Sequence, residues 1–202
     1  MFALLEAAGW PIWPLVLASI IALAIIGERA WSLRSSIVAP RGLLGQVVQE
    51  YRQNGANPEL LARLANDAPL AKVFATALKN VQSTPQVMTE AIDETGRSVA
   101  HELERFLTTL GTIATISPLL GLLGTVIGMI EIFGSQTPTG SNPIVLAHGI
   151  SIALYNTAMG LIVAIPSMIF YRHYRNQVDS LIIEMESEAV KLVEILHGER
   201  RS

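Results

Sequence analysis

FLTTLGTIATISPLLGLLGTVIGMI, Phe106–Ile130, runs twenty-five residues without a charged side chain. An apolar run of roughly 18 or more residues reads as a membrane-spanning helix. Lipid contact alone does not call for the hydroxyls of Thr108, Thr109, Thr112, Thr115, Ser117 and Thr125. Something polar or tightly packed is expected alongside them.

Two further apolar runs lie on either side. The earlier covers about Trp10 to Gly27, with Trp10 and Trp13 at one end and Glu28, Arg29 and Trp31 at the other, as interfacial anchoring predicts. It has no basic segment ahead of it and no small-x-small site at its end, so a cleaved leader is not expected. The later covers Ile144 to Phe170, and with Leu107 to Phe133 it exceeds the ~20 residues a bilayer requires. Both are expected to tilt or to project beyond the lipid.

Composition agrees. Half of the residues are hydrophobic, 15% are charged and mean hydropathy is positive, unlike an ordinary soluble domain. The chain has no cysteine, hence no disulfide framework and no thiolate metal site, and its four histidines are scattered. Neither a metal nor a cofactor is expected. A formal charge of −3, without a basic patch interleaved with aromatics, gives no reason to expect a nucleic-acid partner.

Charge asymmetry orients the spans. Nine Lys or Arg lie from Arg29 to Arg105 and five more from Arg172 onward, whereas residues 1–28 and 133–148 hold none. The positive-inside rule then places the N-terminus outside and the C-terminus in the cytoplasm. The expected fold is an all-α membrane protein with three transmembrane helices, N-out and C-in, extended into a cytoplasmic helical bundle. Its segments are residues 1–28 (periplasmic N-terminus and first span), 29–105 (cytoplasmic insert), 106–133 (second span), 134–142 (periplasmic turn), 143–171 (third span) and 172–202 (cytoplasmic C-terminal helix).

The insert is punctuated by Pro40, Pro58, Pro69 and Pro85, which read as helix starts, with Asn57 and Thr84 suited to N-caps. Met88, Ile92, Val99, Leu103 and Phe106 keep helical spacing, and this helix is expected to continue directly into the second span. After the third span, Leu181, Met185, Leu192, Ile195 and Leu196 form a similar stripe.

Within the second span, Gly121, Gly124 and Gly128, with Pro118 upstream, offer a small-residue face on which helix backbones can approach in lipid. Thr108, Thr112 and Thr115 lie at i, i+4 and i+7, and the expectation is that Gly121, Thr125 and Gly128 prolong their stripe on a similar side. In the third span, Ser151, Tyr155, Asn156 and Thr157 would be costly against lipid tails and should point inward. Gly160 belongs with the packing residues, and Pro166 can kink the helix because neighbouring groups can satisfy the freed carbonyl.

At these residues the chain resembles the MotA/TolQ/ExbB proton-channel proteins, most closely the ExbB branch. The resemblance is carried by SPLLGLLGTVIGMI (Ser117–Ile130) and GISIALYNTAMGLIVAIPS (Gly149–Ser167), with further similarity in IGERAWSLR and PLAKVFATALKN. It implies an inner-membrane subunit, a pentameric homo-oligomer around the single transmembrane helices of an ExbD-like partner. Proton flow through that assembly would energise a TonB-like protein for uptake across the outer membrane. It also implies that Thr125 and Thr157 line the proton path. Some relatives carry a Glu five residues before the second of these threonines, and this chain has Ile152 there.

The middles of the second and third spans consequently hold no Asp, Glu, His, Lys or Arg. Intramembrane carboxylates are costly enough to be functional by default, so a proton carrier must come from a partner helix. Thr125, Thr157, Asn156, Tyr155 and Thr115 would then offer hydrogen bonds and ordered water along the path, and the resemblance implies an intramembrane Asp on the ExbD-like chain. Other readings are a TolQ-like subunit of the Tol-Pal envelope system, a MotA-type stator subunit and a non-conducting membrane scaffold. An enzyme is the least expected, because no nucleophile with a nearby base appears and the glycine run lacks a P-loop lysine.

Overall fold

A computed structural model of the chain describes residues 10–134 and 143–198. The expected periplasmic turn at 134–142 lies outside the described residues apart from Gly134, as does the start of the N-terminal segment. The described residues form helices joined by short turns, with no strand: α1 (Ile12–Ser32), α2 (Ser35–Val38), α3 (Leu43–Asn54), α4 (Pro58–Ala65), α5 (Pro69–Lys79), α6 (Pro85–Leu103), α7 (Leu107–Gly134) and α8 (Pro143–Leu196). Three of these, α1, α7 and α8, are long and apolar enough to cross a membrane.

The chain divides into two compact units, residues 1–28 with 106–173 and residues 29–105 with 174–202. In the first, α1 buries Ile12, Leu15, Ala22 and Ile25 and leaves Trp13, Leu17, Ile20 and Leu23 exposed, as a helix with one packed side and one lipid side does. α7 and α8 each place a Pro inside the helix, Pro118 and Pro166. Proline removes the amide that would bond the carbonyl four residues earlier. The hydroxyl beside Pro166 belongs to Ser167, and it donates to the Val163 carbonyl at 2.7 Å, one position past the carbonyl that the proline frees.

The second unit is built around α5, whose Leu70, Ala71, Val73, Phe74, Ala77 and Leu78 are buried on nearly all sides. α6 contributes Met88, Ile92, Val99 and Leu103, and the C-terminal part of α8 contributes Val178, Leu181, Met185, Ala189 and Leu192. Asn57 caps α4 by accepting from the Leu60 amide at 2.7 Å, and Thr84 caps α6 by accepting from the Val87 amide, each followed by its proline. Pro69 likewise opens α5. Pro40 does not open a helix. Its carbonyl accepts from the Leu43 amide, and Gly42, at φ 82°, supplies the left-handed step from which α3 begins.

The expected continuation of α6 into the second span is not what forms. Residues 104–106 make a turn, and Phe106 takes φ 65°, a left-handed conformation that costs a non-glycine residue roughly 1–2 kcal/mol. The break is supported from α1: Arg29, 4% exposed, donates from Nη1 to the Leu103 carbonyl at 3.0 Å, placing a cation at the end of α6 where carbonyls lack intrahelical partners. After the third span the opposite holds, because α8 continues without interruption to Leu196.

Candidate functional site

The polar and small residues of the second and third spans sort onto different faces. Stripe geometry explains the outcome: at 3.6 residues per turn Gly121 lies about 120° around the helix from Thr115, so the glycines do not prolong the threonine stripe. Thr108, Thr112 and Thr115 are exposed on this chain, while Ser117, Gly121 and Gly124 are buried. The threonine hydroxyls satisfy themselves locally. Thr112 donates to the Thr108 carbonyl at 2.8 Å and Thr115 to the Gly111 carbonyl at 3.1 Å.

The glycine face of α7 packs on α8. A Cβ added at Gly128 would lie 3.2 Å from the Ala153 Cβ, at Gly124 2.7 Å from the Asn156 Cβ, at Gly121 2.7 Å from the Asn156 carbonyl oxygen, and at Gly160 2.6 Å from the Ser117 carbonyl oxygen. The seam extends to Gly149 against Ile132 at one end and Gly111 against the Tyr171 ring at the other. As numbers fall along α7 they rise along α8, so the two helices are antiparallel. Close backbone approach through small residues is the form of helix association that lipid favours, because apolar side chains gain little by leaving lipid for one another.

Asn156 is 2% exposed and sits in this seam against Gly124. Tyr155 is 45% exposed and Ser151 is exposed, so neither points into the seam. Thr157 is half-buried beside it, its Cα 3.0 Å from where a Gly121 Cβ would stand. Thr125 is also half-buried; its hydroxyl donates to the Leu122 carbonyl at 2.7 Å, and it borders a shallow depression with Val126, Met129, Ile130 and Phe133. Of the packing candidates, Gly121, Gly124, Gly128 and Gly160 come together, Pro118 is half-buried next to Ser117, and Pro166 is exposed outside the seam. Ser117, one of the hydroxyls for which a polar or tightly packed neighbour is expected, is 1% exposed with its hydroxyl unpartnered among the described residues. Gly149, Ala153, Asn156 and Gly160 recur at i, i+4, i+7 and i+11, a signal that could have located the α8 side of the seam from sequence.

His148 and Glu131 are both exposed, near the start of α8 and the end of α7. Among the described residues no group of three or more His, Cys, Asp or Glu is placed to hold a metal ion.

Residues 65–187, which include the whole seam, match the MotA/TolQ/ExbB proton channel family. The chain belongs to that family. Within it, the ExbB-like 3 protein of Synechocystis sp. is 36% identical over 168 residues, covering 81% of this chain and 79% of that protein. The Tol-Pal system protein TolQ of Pseudomonas aeruginosa is 31% identical over 159 residues, 73% of this chain and 66% of that protein. The flagellar MotAB stator complex from Bacillus subtilis contains a chain that superposes with a TM-score of 0.66 over 97% of this chain and 78% of that one. At 18% identity that likeness establishes the shared fold. A MotA/TolQ/ExbB chain is thus a membrane protein of proton-channel type, and its seam is the part of this molecule where span packing and hydroxyl placement are set together.

Proposed function

We propose that this chain is the ExbB-like inner-membrane subunit of a proton-driven motor that energises transport across the outer membrane. A homopentamer surrounds an ExbD-like single-span partner, and a TonB-like protein carries the work outward. The chain crosses the membrane with its N-terminus periplasmic and its C-terminus cytoplasmic. The observation that carries this reading is a lack: between Phe106 and Ile130 and between Gly149 and Phe170 there is no Asp, Glu, His, Lys or Arg. Proton transfer at membrane depth requires a group that binds and releases the proton. The partner therefore supplies it, as an Asp whose pKa desolvation raises, so that it can be neutral at the apolar seam and charged against water.

The role of this chain is then to hold hydrogen-bonding oxygens beside that path. Thr125 and Thr157 suit it, since each is half-buried next to a seam whose backbones cannot shift apart cheaply. The Thr125 proton is already committed to the Leu122 carbonyl, which leaves its oxygen able to accept. A TolQ-like role in the Tol-Pal envelope system is the second reading, favoured by the TolQ relative; it shares the proton chemistry and differs in the periplasmic partner.

The test is proton flux in reconstituted vesicles containing the subunit alone, the subunit with its single-span partner, and the subunit with a partner whose intramembrane Asp is changed to Asn. Flux is expected only from the second. Robust flux from the isolated subunit would place the proton carrier on this chain and overturn the reading.

A further inference from the structure

We propose that Trp31 and Arg34, at the end of α1, form a binding site for the phosphodiester of an anionic glycerophospholipid. Trp31 is 65% exposed at the point where the apolar run of α1 has ended. An aromatic ring there sits at headgroup depth once α1 crosses a bilayer. The Arg34 guanidinium carbon lies 4.6 Å from the centroid of the Trp31 ring, within the range of a cation–π contact. A contact with the ring face uses none of the guanidinium's N–H donors in a conventional hydrogen bond, and a guanidinium fork is suited to meet two oxygens of a phosphate.

Arg34 is available for such a ligand. Among the described residues it has no ion pair, whereas Arg63 pairs with Glu50, Arg175 with Glu104 at 3.4 Å, and Arg29 is committed to the Leu103 carbonyl. Ser35 and Ser36 are exposed next to it and add hydroxyl donors, and Ile37, 39% exposed, adds apolar surface.

The turn that carries these groups is held firmly from below. Leu33 is fully buried, its amide bonds the Arg29 carbonyl at 3.0 Å, and its own carbonyl accepts from Gln177 Nε2 at 2.7 Å. Val38 and Ala39 are buried on the far side. A cation carried on a fixed turn and resting on a ring has less freedom to lose when it binds than one on a mobile segment, which distinguishes this site from diffuse attraction to a charged leaflet.

The inference uses the reading that α1 crosses the membrane, but vesicles with the same lipids in both leaflets make the test independent of which way it crosses. The full subunit is reconstituted in phosphatidylcholine containing a minority of phosphatidylglycerol. Protein-bound lipid is then counted by native mass spectrometry, with size-exclusion chromatography of each variant in parallel. R34Q is expected to lower the bound phosphatidylglycerol-to-phosphatidylcholine ratio about fivefold, the worth of one arginine at an anionic surface. R34K, which keeps the charge and loses the stacked fork, is expected to lower it roughly threefold, as is W31L. R34K matching the unaltered protein would reduce the effect to diffuse charge and overturn the site. Displacement of the lipid by an equal amount of soluble glycerol phosphate would overturn it in favour of free phosphate. Loss of the oligomer in R34Q with the lipid ratio unchanged would overturn it in favour of a contact between chains.

Discussion

Gly160→Ala puts the close approach of α7 and α8 to its hardest trial. The added methyl would stand 2.6 Å from the Ser117 carbonyl oxygen, 3.1 Å from Gly121 Cα and 3.3 Å from Gly121 N, all backbone atoms with no rotamer to yield. Ordinary contact starts at 3.4 Å, so the helices must part locally by about 0.8 Å, a gap that forfeits a quarter to a half of each dispersion well along the seam. Overpacking of this kind costs about 1–3 kcal/mol, and rigid neighbours place it near the upper end. Alanine returns at most about 1 kcal/mol of helix propensity. The net loss is about 2 kcal/mol, roughly thirtyfold in the equilibrium between packed and parted helices. Gly96→Ala, where nothing lies within 4 Å, is the control and should be neutral or slightly stabilising. The assay is the apparent thermal midpoint of the purified protein in mild detergent at one heating rate, read by size-exclusion chromatography after heating. Gly124→Ala, which meets a side chain, should cost less than Gly160→Ala, and Gly128→Ala, at 3.2 Å, less again. A Gly160→Ala midpoint equal to or above that of Gly96→Ala would refute the backbone contact.

Thr125→Val and Thr157→Val should each lower proton flux through the reconstituted complex while leaving its size-exclusion profile intact; unchanged flux in both would remove the threonines from the path. Reporter fusions after Gln53 and Gly198 should be cytoplasmic and one at Thr139 periplasmic, and a reversal at any of the three would overturn the orientation. Arg29→Met should destabilise the protein by about 1.5–3 kcal/mol, the range for a hydrogen bond made by a charged group. It should also speed proteolysis at residues 104–106, and cleavage no faster than in the unaltered protein would show that Arg29 does not secure that turn.

The three long apolar helices were legible because length and apolar content are properties of composition. The caps at Asn57 and Thr84 were legible because a short polar side chain ahead of a proline has few other uses. Pro40 misled because the same residue type serves equally well in a turn before a helix. The break at Phe106 was hidden, since an aromatic residue in a left-handed conformation contradicts local preference and is held there by its surroundings. Within the membrane the difficulty was of another kind. Hydropathy does not say on which side of a helix a threonine lies: Thr112, Thr115 and Thr125 all donate to their own helix backbone, and only burial separates exposed Thr112 and Thr115 from half-buried Thr125. Nor does polarity say which neighbour Asn156 meets; its side chain lies against Gly124.

The seam also sets which errors this protein could repair. Where an added methyl meets a side chain, a second change can make room: Asn156 could become glycine, which alone removes the Cβ in the way, to accommodate alanine at position 124, and Ala153 could become glycine to accommodate one at 128. At Gly121 and Gly160 the obstacles are the carbonyl oxygens of Asn156 and Ser117 and the α-carbons of the facing strip. Nothing smaller than glycine exists to be substituted there. A genetic screen for compensating mutations should therefore recover suppressors of damage at 124 and 128 from the opposite helix, and from damage at 121 and 160 only true revertants.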